Sequence, residues 1–401
     1  SYCNKDRMAW WLIYANVSVE PKEELFHQGW PSEITYGELK PYYEKVGKML
    51  NVQTLPEGQA TQRYHVMKEG AHKLGYGSRF RPLPLAVTFD PVWNYGLKDP
   101  FNEKHSKKWV NDQGQEQGTC IHCGNCDIGC KVKAKNTLDL NYIPWAERHG
   151  AEVRPLHQVN YIKPEGNGYG VYFDRLDRGK RIPGHENARM VILAAGSLGS
   201  TELLLRCRDQ HKTLPNISPF LGHGWSSNGD FLTPAFHVGR QISPSQGPTI
   251  SSAIDFLDGS VDHQQFFIEE GGFPDLLGNY LEAKLSTGTK RRKYRILLGE
   301  LSKVIRGRDP LSCVMPWFAQ GIDAANGRLY LGRPWHAPWR KKLKLDWDIK
   351  RSKAVINAIV SMHKRLAEAT GGKPWVPPTW TVLKNLITPH PLGGCNMGAT
   401  A

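Results

Sequence analysis

Residues 190–206 read MVILAAGSLGSTELLLR, an apolar run followed by a glycine turn and a helix-forming segment. The run at residues 190–195 is typical of a parallel strand that is buried on both faces. The turn at residues 196–200 lets the N-terminus of a helix through residues 201–206 approach an anion or the edge of a cofactor. The stretch therefore predicts a strand–turn–helix unit of an α/β fold beside a ligand.

The flanking sequence predicts both helices and a mainly β region. Apolar residues at helical spacing predict helices near residues 39–50, 136–150 and 355–370, and the last two end at glycines. Short β-prone runs around residues 153–173, with a turn at 166–168, predict a small meander. Between residues 231 and 347, strand-like segments at 265–268, 327–331 and 344–347 predict a mainly β second domain.

Composition limits the classes of function. The 401 residues carry 52 Lys and Arg against 38 Asp and Glu, a formal charge of +14 at pH 7. Nucleic-acid binding is not expected, because the sequence has no long arginine tract, paired metal-finger spacing or RNA-binding sheet motif. No apolar run approaches the ~20 residues of a membrane span. The basic runs at residues 290–293 and 340–342 predict either solvated surface or a peripheral contact with a membrane.

Four of the eight cysteines lie close together in the sequence. Cys120, Cys123, Cys126 and Cys130 have the C-x2-C-x2-C-x3-C spacing with which bacterial ferredoxins bind iron–sulfur centres. No proline follows Cys130 and no second such run is present, which favours a reduced, metal-free structural group. An iron–sulfur site, or a ferredoxin-like electron carrier, is the alternative. Reduced thiols also predict a cytoplasmic location.

The segment TPHPLGGC at residues 388–395 is the most specific chemical signal. His390 lies between two prolines, which hold the backbone rigid, and the two following glycines allow another group to approach closely. Imidazole titrates near neutral pH and can accept the hydroxyl proton when an alcohol is oxidised. His390 is therefore the candidate catalytic residue, and a structural histidine in a rigid turn is the alternative.

Several short motifs follow one another over most of the chain, and their joint order is more specific than any one of them. They are YANV at 14–17, GWP at 29–31, PYY at 41–43, CGNCDIGC at 123–130, AKNT at 134–137, AAGSLGS at 194–200 and HPLGG at 390–394. In this order they resemble the glucose–methanol–choline (GMC) family of flavoenzymes, and within it the cholesterol oxidase branch.

The resemblance implies an α/β (α+β) fold, with a doubly wound FAD-binding domain built from discontinuous segments and a substrate domain with an antiparallel sheet. It assigns residues 1–115 to an extension of the FAD domain with cover or lid segments, 116–230 to part of the FAD-binding domain, 231–375 to the substrate domain, and 376–401 to a return to the FAD-binding domain. No metal ligand is implied. The cofactor-binding residues that it implies are Asn16, Val17, Val159, Ala195, Gly196, Asn228 and Gly229.

A catalytic carboxylate is also implied, and Glu269 in FIEEGGFP at residues 267–274 lies at the corresponding position. Because side chains alternate along a strand, Glu269 and Glu270 would point to opposite faces, and only one could face a pocket. A pair of solvated glutamates near a loop is the alternative.

The implied reaction is FAD-dependent oxidation of a CH–OH group of a bulky, sterol-like alcohol. Hydride would pass to the flavin, the proton to His390, and dioxygen or another acceptor would reoxidise the flavin. A sugar or polyol dehydrogenase with an iron–sulfur relay at the four cysteines is the alternative. The family's N-terminal G-x-G-x-x-G and its C-terminal end have no counterpart in the sequence, so an internal fragment that is inactive alone is expected.

Overall fold

The computed structural model describes residues 34–274, 311–335, 339–381, 386 and 388–397. Within these ranges the fold is mixed α/β, and no helix is long and apolar enough to cross a bilayer. Single-turn 3-10 helices lie at Gly77–Arg79, Glu103–His105, Leu138–Leu140 and Ile349–Ser352, and a π-helical turn lies at Arg206–Gln210. The α-helices are α1 (Tyr36–Met49), α2 (Gln62–Lys73), α3 (Tyr142–Arg148), α4 (Gly196–Leu205), α5 (Lys353–Ala369) and α6 (Pro378–Thr381).

The strands pair antiparallel throughout the described residues. The largest sheet has six strands in the order β16-β10-β13-β12-β11-β2, and the smaller ones are β6-β7-β8, β15-β14-β9, β1-β3 and β4-β5. The strands are β1 (Gln53–Thr54), β2 (Phe80–Pro82), β3 (Pro84–Leu85), β4 (Lys108–Val110), β5 (Glu116–Gly118), β6 (His157–Glu165), β7 (Gly168–Asp177), β8 (Lys180–Ala188), β9 (His223–Trp225), β10 (Phe231–Phe236), β11 (Ser252–Val261), β12 (Gln264–Glu270), β13 (Val314–Gly321), β14 (Gly327–Gly332), β15 (Lys342–Asp346) and β16 (Lys373–Pro374).

The main core lies between one face of the six-stranded sheet and helices α2 and α5. In α5, Val355, Ile359 and Leu366 recur at helical spacing and are buried. Phe266 of β12 and Trp317 of β13 belong to the same cluster of buried side chains. The antiparallel sheet and the amphipathic helix predicted from the sequence are thus confirmed.

The opposite face of this sheet carries a different row of side chains. In the strand register, Leu232 of β10 lies opposite Phe318 of β13, and Phe318 lies opposite Glu269 of β12. Side chains that pair across strands project to the same face. These three side chains therefore form a row on the face away from α5.

Other predicted elements are present with different bounds. The meander is confirmed, with a tight turn at Gly166, whose φ is +55°. Its third strand, β8, was not predicted because its sequence, KRIPGHENA, is polar and lacks β-branched alternation. The helix predicted over residues 136–150 is interrupted at Asn141, whose φ and ψ are −139° and −80°, so only its second half is α-helical.

The buried strand predicted at residues 190–195 is wrong. The described residues offer it no strand partner, and the side chains of Met190 and Ile192 are 76% and 83% exposed. A continuous apolar run forms a buried parallel strand only where neighbouring strands and covering helices enclose it. The helix that follows is confirmed as α4, and the doubly wound arrangement of the FAD domain stays a prediction.

Candidate active site

A cavity of about 490 Å³ lies on the face of the six-stranded sheet opposite α5. This volume falls within the ~300–1,000 Å³ range of small-molecule sites. Most of the wall is apolar, and its few titratable side chains are Cys126, Asp127, Lys135 and His390. The apolar side chains of the wall are Leu85, Val87, Leu232, Pro248, Ile250, Phe273, Pro316, Phe318 and Pro389.

A buried carboxylate holds His390 at the cavity wall. Nδ1 of His390 lies 2.8 Å from Oδ2 of Asp230, and the Asp230 side chain is 1% exposed. Thr388 Oγ1 donates to the same Oδ2 at 2.6 Å, and it accepts the backbone N–H of His390 at 2.9 Å. When Nδ1–H donates to Asp230, the neutral ring has its acceptor lone pair on Nε2.

The surroundings of Asp230 have two opposite effects on its pKa. Burial raises the pKa of Asp230, while hydrogen bonds from His390, Thr388 and Asn228 oppose that rise. The amide Nδ2 of Asn228 donates to Asp230 Oδ1 at 3.2 Å. Three donors around one carboxylate favour its ionised form, which can fix the orientation and tautomer of the ring.

The loop that precedes Asp230 is fixed to both the C-terminal segment and the sheet. Ser226 and Leu392 exchange backbone hydrogen bonds of 3.0 and 3.1 Å. Asn228 and Gly229 have left-handed φ values of 58° and 59°, and a Cβ on Gly229 would lie 2.4 Å from the carbonyl oxygen of Gly321. Glycine is therefore required at position 229.

Glu269 and Glu270 lie on opposite faces of the sheet, and both are fully buried. Glu270 lies on the helix side, where it forms an ion pair with Arg63 and accepts the N–H of Ser251 at 2.8 Å. Glu269 lies beside Phe318 on the cavity side, although it is not itself among the residues that line the cavity. The solvated alternative for this pair is wrong.

Glu269 has an unusual electrostatic environment. Neither of its carboxylate oxygens has a hydrogen-bond partner. Burial raises the pKa of Glu269 well above its ordinary value, and the nearby carboxylates of Asp230 and Glu270 add to this rise. Surroundings of this kind disfavour the charged form of the carboxyl group.

Two further buried polar side chains have atoms without partners near Glu269. They are Gln320, through both its amide oxygen and its amide nitrogen, and Asn228, through Oδ1. The N–H of Gly321 donates to the Asn228 carbonyl at 3.1 Å, so this loop lies against the end of β13. Buried polar atoms without partners cost about 1–3 kcal/mol each. Their presence together marks a place suited to a polar ligand.

Arg63 holds one wall of the cavity through hydrogen bonds to backbone carbonyl groups. It lies in the first turn of α2, is fully buried, and forms an ion pair with Glu270. Its guanidinium also donates to the carbonyl oxygens of Pro248 at 2.8 Å, Thr249 at 3.2 Å and Gly271 at 2.7 Å. All three of these acceptors line the cavity.

The predicted cofactor residues are brought together only in part. Asn228 and Gly229 lie in the loop that precedes Asp230, the residue bonded to His390. Ala195 is the N-cap of α4, and the helix is tied to the His390 segment through Ser197 Oγ, which donates to the Gly393 carbonyl at 2.8 Å. Val159 lies apart on β6 and is 37% exposed. Asn16 and Val17 lie outside the described residues.

Sequence reasoning missed Asp230 as a partner of His390, and it missed Arg63 and Gln320 entirely. The Asn228-Gly229 dipeptide is a local signal for a left-handed turn. It could have drawn attention to the residue that follows. Nothing in the sequence near Arg63 or Gln320 marks them, because their significance comes from burial and from distant partners.

Comparison with known proteins adds to this geometry. Residues 105–223 match the sequence model of a family described as GMC oxidoreductase. Over 97% of its length the chain is 28% identical to a cholesterol oxidase of Acinetobacter baumannii, and the alignment covers 70% of that protein. Over 61% of its length it is 32% identical to a cholesterol oxidase of Mycobacterium tuberculosis, and this alignment covers 42% of that protein.

Proposed function

We propose that the chain is a GMC oxidoreductase, one of a family of FAD-dependent enzymes, and that it oxidises a CH–OH group of a bulky, sterol-like alcohol. The observation that carries the proposal is the His390–Asp230 pair at the wall of a mainly apolar cavity. This pair supplies a proton acceptor, and the cavity supplies a surface for an apolar substrate.

The described residues fit the polar part of FAD at the His390 side of the site. Gln320 offers a donor and an acceptor, Asn228 offers an acceptor, and these buried atoms have no partner within the protein. Gly229 has no side chain where the loop passes against β13. We assign Asn228, Gly229 and Gln320 to the binding of the flavin ring, with Ala195 and Gly196 at the start of α4 as further cofactor contacts. The roles of Val159, Asn16 and Val17 stay predictions.

Residues of the protein accept the proton that leaves the substrate hydroxyl group and stabilise the resulting charge. FAD, when bound, would supply a hydride acceptor for the carbon that bears the hydroxyl group. His390 accepts the hydroxyl proton at Nε2, and Asp230 stabilises the imidazolium that forms. Thr388 holds both partners through one hydroxyl group. The surroundings of Glu269 disfavour its charged form, and we propose that it acts as an acid near the substrate.

The cavity wall favours an apolar alcohol over a sugar or polyol. Side chains such as Leu232, Phe318 and Ile250 cannot bond the several hydroxyl groups that a polyol buries on binding. An apolar ring system instead gains from contact with them. This argument supports the sterol-like substrate, in agreement with the names of the relatives.

The partners of the reaction are the alcohol and an electron acceptor, dioxygen or another. We also propose a peripheral contact with a membrane, which would give access to a lipid substrate. The basic residues 340–342 lie next to Trp339, which is 82% exposed, and Trp335 is 93% exposed. Exposed tryptophan beside basic residues suits the interface of an anionic bilayer. The basic run at residues 290–293 lies outside the described residues.

Anaerobic mixing of the complete, flavin-loaded protein with cholesterol, and separately with sorbitol, tests the substrate class. We expect bleaching of the flavin absorbance by the sterol and none by the polyol. Bleaching by sorbitol alone would contradict the proposed substrate class, and bleaching by neither would contradict sterol oxidation.

A further inference from the structure

The candidate active-site cavity extends across several strands of the six-stranded sheet. At one end its wall includes Leu232 of β10, followed by Phe318 of β13. At the other end the wall includes Ile250, which precedes β11, and Leu85, which follows β2. In the order β10-β13-β12-β11-β2 the outer two strands are four spacings apart, roughly 19 Å at about 4.8 Å per spacing. An elongated molecule can therefore lie in the cavity across the strands.

His390 lies at the β10 end of this cavity. Its ring is bonded to Asp230, and Asp230 immediately precedes β10, which begins at Phe231. Ser226, in the loop before Asp230, also forms a β-bridge with Leu392, two residues after His390. The alcohol that gives its proton to His390 therefore lies with its reacting hydroxyl group at this end.

Lys135 lies at the opposite end, beside the chain that continues from β3. It forms an antiparallel β-bridge with Val87, and the N–H of Thr88 donates to the carbonyl oxygen of Ala134 at 2.9 Å. Both Val87 and Lys135 line the cavity. These backbone contacts fix the segment that carries Lys135 at the end of the cavity away from His390.

The protein uses the ammonium group of Lys135 only in part. Nζ donates to the carbonyl oxygen of Cys126 at 3.1 Å, and among the described residues Lys135 forms no ion pair. An ammonium group has three N–H donors, so two are available for a ligand. The side chain is partly buried in a mainly apolar wall, where a positive charge without a counter-ion is unfavourable. A negatively charged group on a ligand would supply that counter-ion.

Asp127 does not neutralise this charge. It is the one acidic side chain among the described residues that line the cavity, and it is exposed. Its Oδ1 accepts the hydroxyl of Thr249 at 3.1 Å. Because water surrounds and screens an exposed carboxylate, Asp127 has little influence on a ligand that lies deeper in the cavity. The β2 end of the cavity is therefore a place for a negative charge.

We propose that Lys135 binds a carboxylate at the end of the substrate remote from the reacting hydroxyl group. The preferred substrates are then steroid acids, in which a rigid apolar ring system separates a hydroxyl group from a carboxylate. The rings lie against apolar side chains such as Leu232 and Phe318, between the two polar ends. This inference rests on the proposed function, which sets the position of the hydroxyl group at His390.

The two ends of the cavity also select the direction in which such a substrate binds. In the reverse direction its carboxylate would lie near the buried carboxyl groups of Asp230 and Glu269, where a further negative charge is unfavourable. Its hydroxyl group would then lie at Lys135, away from His390. A steroid acid is therefore held in the productive direction by charge as well as by shape.

A matched pair of substrates tests the charge. Hydroxycholenoic acid has the ring system and hydroxyl group of cholesterol and a shorter side chain that ends in a carboxylate, and its methyl ester is the uncharged equivalent. With the complete, flavin-loaded protein we expect kcat/KM for the acid to exceed that for the ester by about tenfold or more, the usual effect of one hydrogen bond between charged groups. A lysine that only holds the Cys126 carbonyl would give no such preference.

Three variants assign the preference to Lys135. Lys135→Met removes the charge and keeps an unbranched side chain, so the ratio of kcat/KM for acid and ester should fall to about one, mainly through KM. Lys135→Arg keeps the charge and should retain part of the preference. Lys131→Met is the matched control and should show the wild-type ratio, because Lys131 belongs to the same segment, is exposed, and pairs with Glu103 at 3.5 Å outside the cavity.

Cholanic acid, a steroid acid without a hydroxyl group, separates this inference from the proposed function. Titration calorimetry should give a Kd about tenfold weaker for Lys135→Met than for Lys131→Met. Binding that depends on Lys135, in a protein that oxidises neither hydroxycholenoic acid nor cholesterol, would support the carboxylate site and remove the proposed function. Equal kcat/KM for acid and ester in the wild type, or the same ratio in Lys135→Met and Lys131→Met, would overturn the role of Lys135 and leave sterol oxidation standing.

Discussion

Glu269 and Glu270 are adjacent in sequence, but their carboxylates lie on opposite sides of one sheet in opposite electrostatic situations. Glu270 is paired with the guanidinium of Arg63, while Glu269 has no hydrogen-bond partner for either oxygen. The first carboxylate holds the cavity wall together. The second lies beside Phe318 on the cavity side and is the one available for chemistry.

Glu270→Gln should therefore destabilise the fold, whereas Glu269→Gln should not. Loss of the Glu270 charge leaves Arg63 buried without a counter-ion, which typically costs about 3–5 kcal/mol. The free energy of unfolding in urea measures this. Asp258→Asn is the control, because it breaks a partly exposed pair with Arg79 and should cost within about 1 kcal/mol. Equal losses in Glu270→Gln and Asp258→Asn would show that the Arg63 pair does not anchor the wall.

Glu269 should make the stability of the wild type fall with rising pH relative to Glu269→Gln. Its pKa is raised in the folded state, so the folded protein keeps a proton that the unfolded chain releases above its ordinary pKa of about 4.3. The full stability is present below that pH and is lost as the pH rises towards the folded pKa. Unfolding free energies of both proteins from about pH 4 to about pH 8 test this. A difference between them that does not change with pH would contradict the raised pKa.

Gly229→Ala should disrupt the loop that carries Asp230. Alanine in a left-handed conformation costs about 1–2 kcal/mol, and here its Cβ would also meet the Gly321 carbonyl at 2.4 Å. Gly166→Ala is the control, since Gly166 has a similar φ of +55° with nothing near its Cβ position. Thermal unfolding should show the larger loss in Gly229→Ala. The same loss in both would mean that backbone conformation alone matters.

Asp230→Asn should slow alcohol oxidation by about tenfold or more, because the amide no longer stabilises the protonated His390 ring. The double variant with His390→Ala should be no slower than His390→Ala alone, since the two residues act as a unit. Asp323→Asn is the control: Asp323 is a buried aspartate whose carboxylate accepts the N–H of Ser227 in the same loop. If the effects of Asp230→Asn and His390→Ala on the rate were additive, Asp230 would not act through His390.

The sequence predicted those helices and strands that are specified by a pattern of nearby residues. The apolar spacing of α5, the β-prone run of β12 and the glycine at the start of α4 are each patterns within one element, and the structure confirms all three. Residues 190–195 show where such reasoning fails, because burial of a strand depends on neighbours that the run itself does not specify.

The candidate site depends on contacts between distant residues. Asp230 and His390 are 160 residues apart in sequence, and Arg63 and Glu270 are 207 apart. Residue type and spacing identified His390 as a chemical candidate, and the family resemblance identified Glu269. Their partners became visible only once the fold had brought the separate segments together.

The most direct test of the account is the rate at which cholesterol reduces the bound flavin in a single anaerobic turnover, measured for the complete protein and for its His390→Ala variant at equal flavin content. The account predicts that His390→Ala still binds FAD but reduces it about a hundredfold more slowly or worse, because the hydroxyl proton has lost its acceptor. Equal rates in the two proteins would remove His390 from the chemistry and contradict the account.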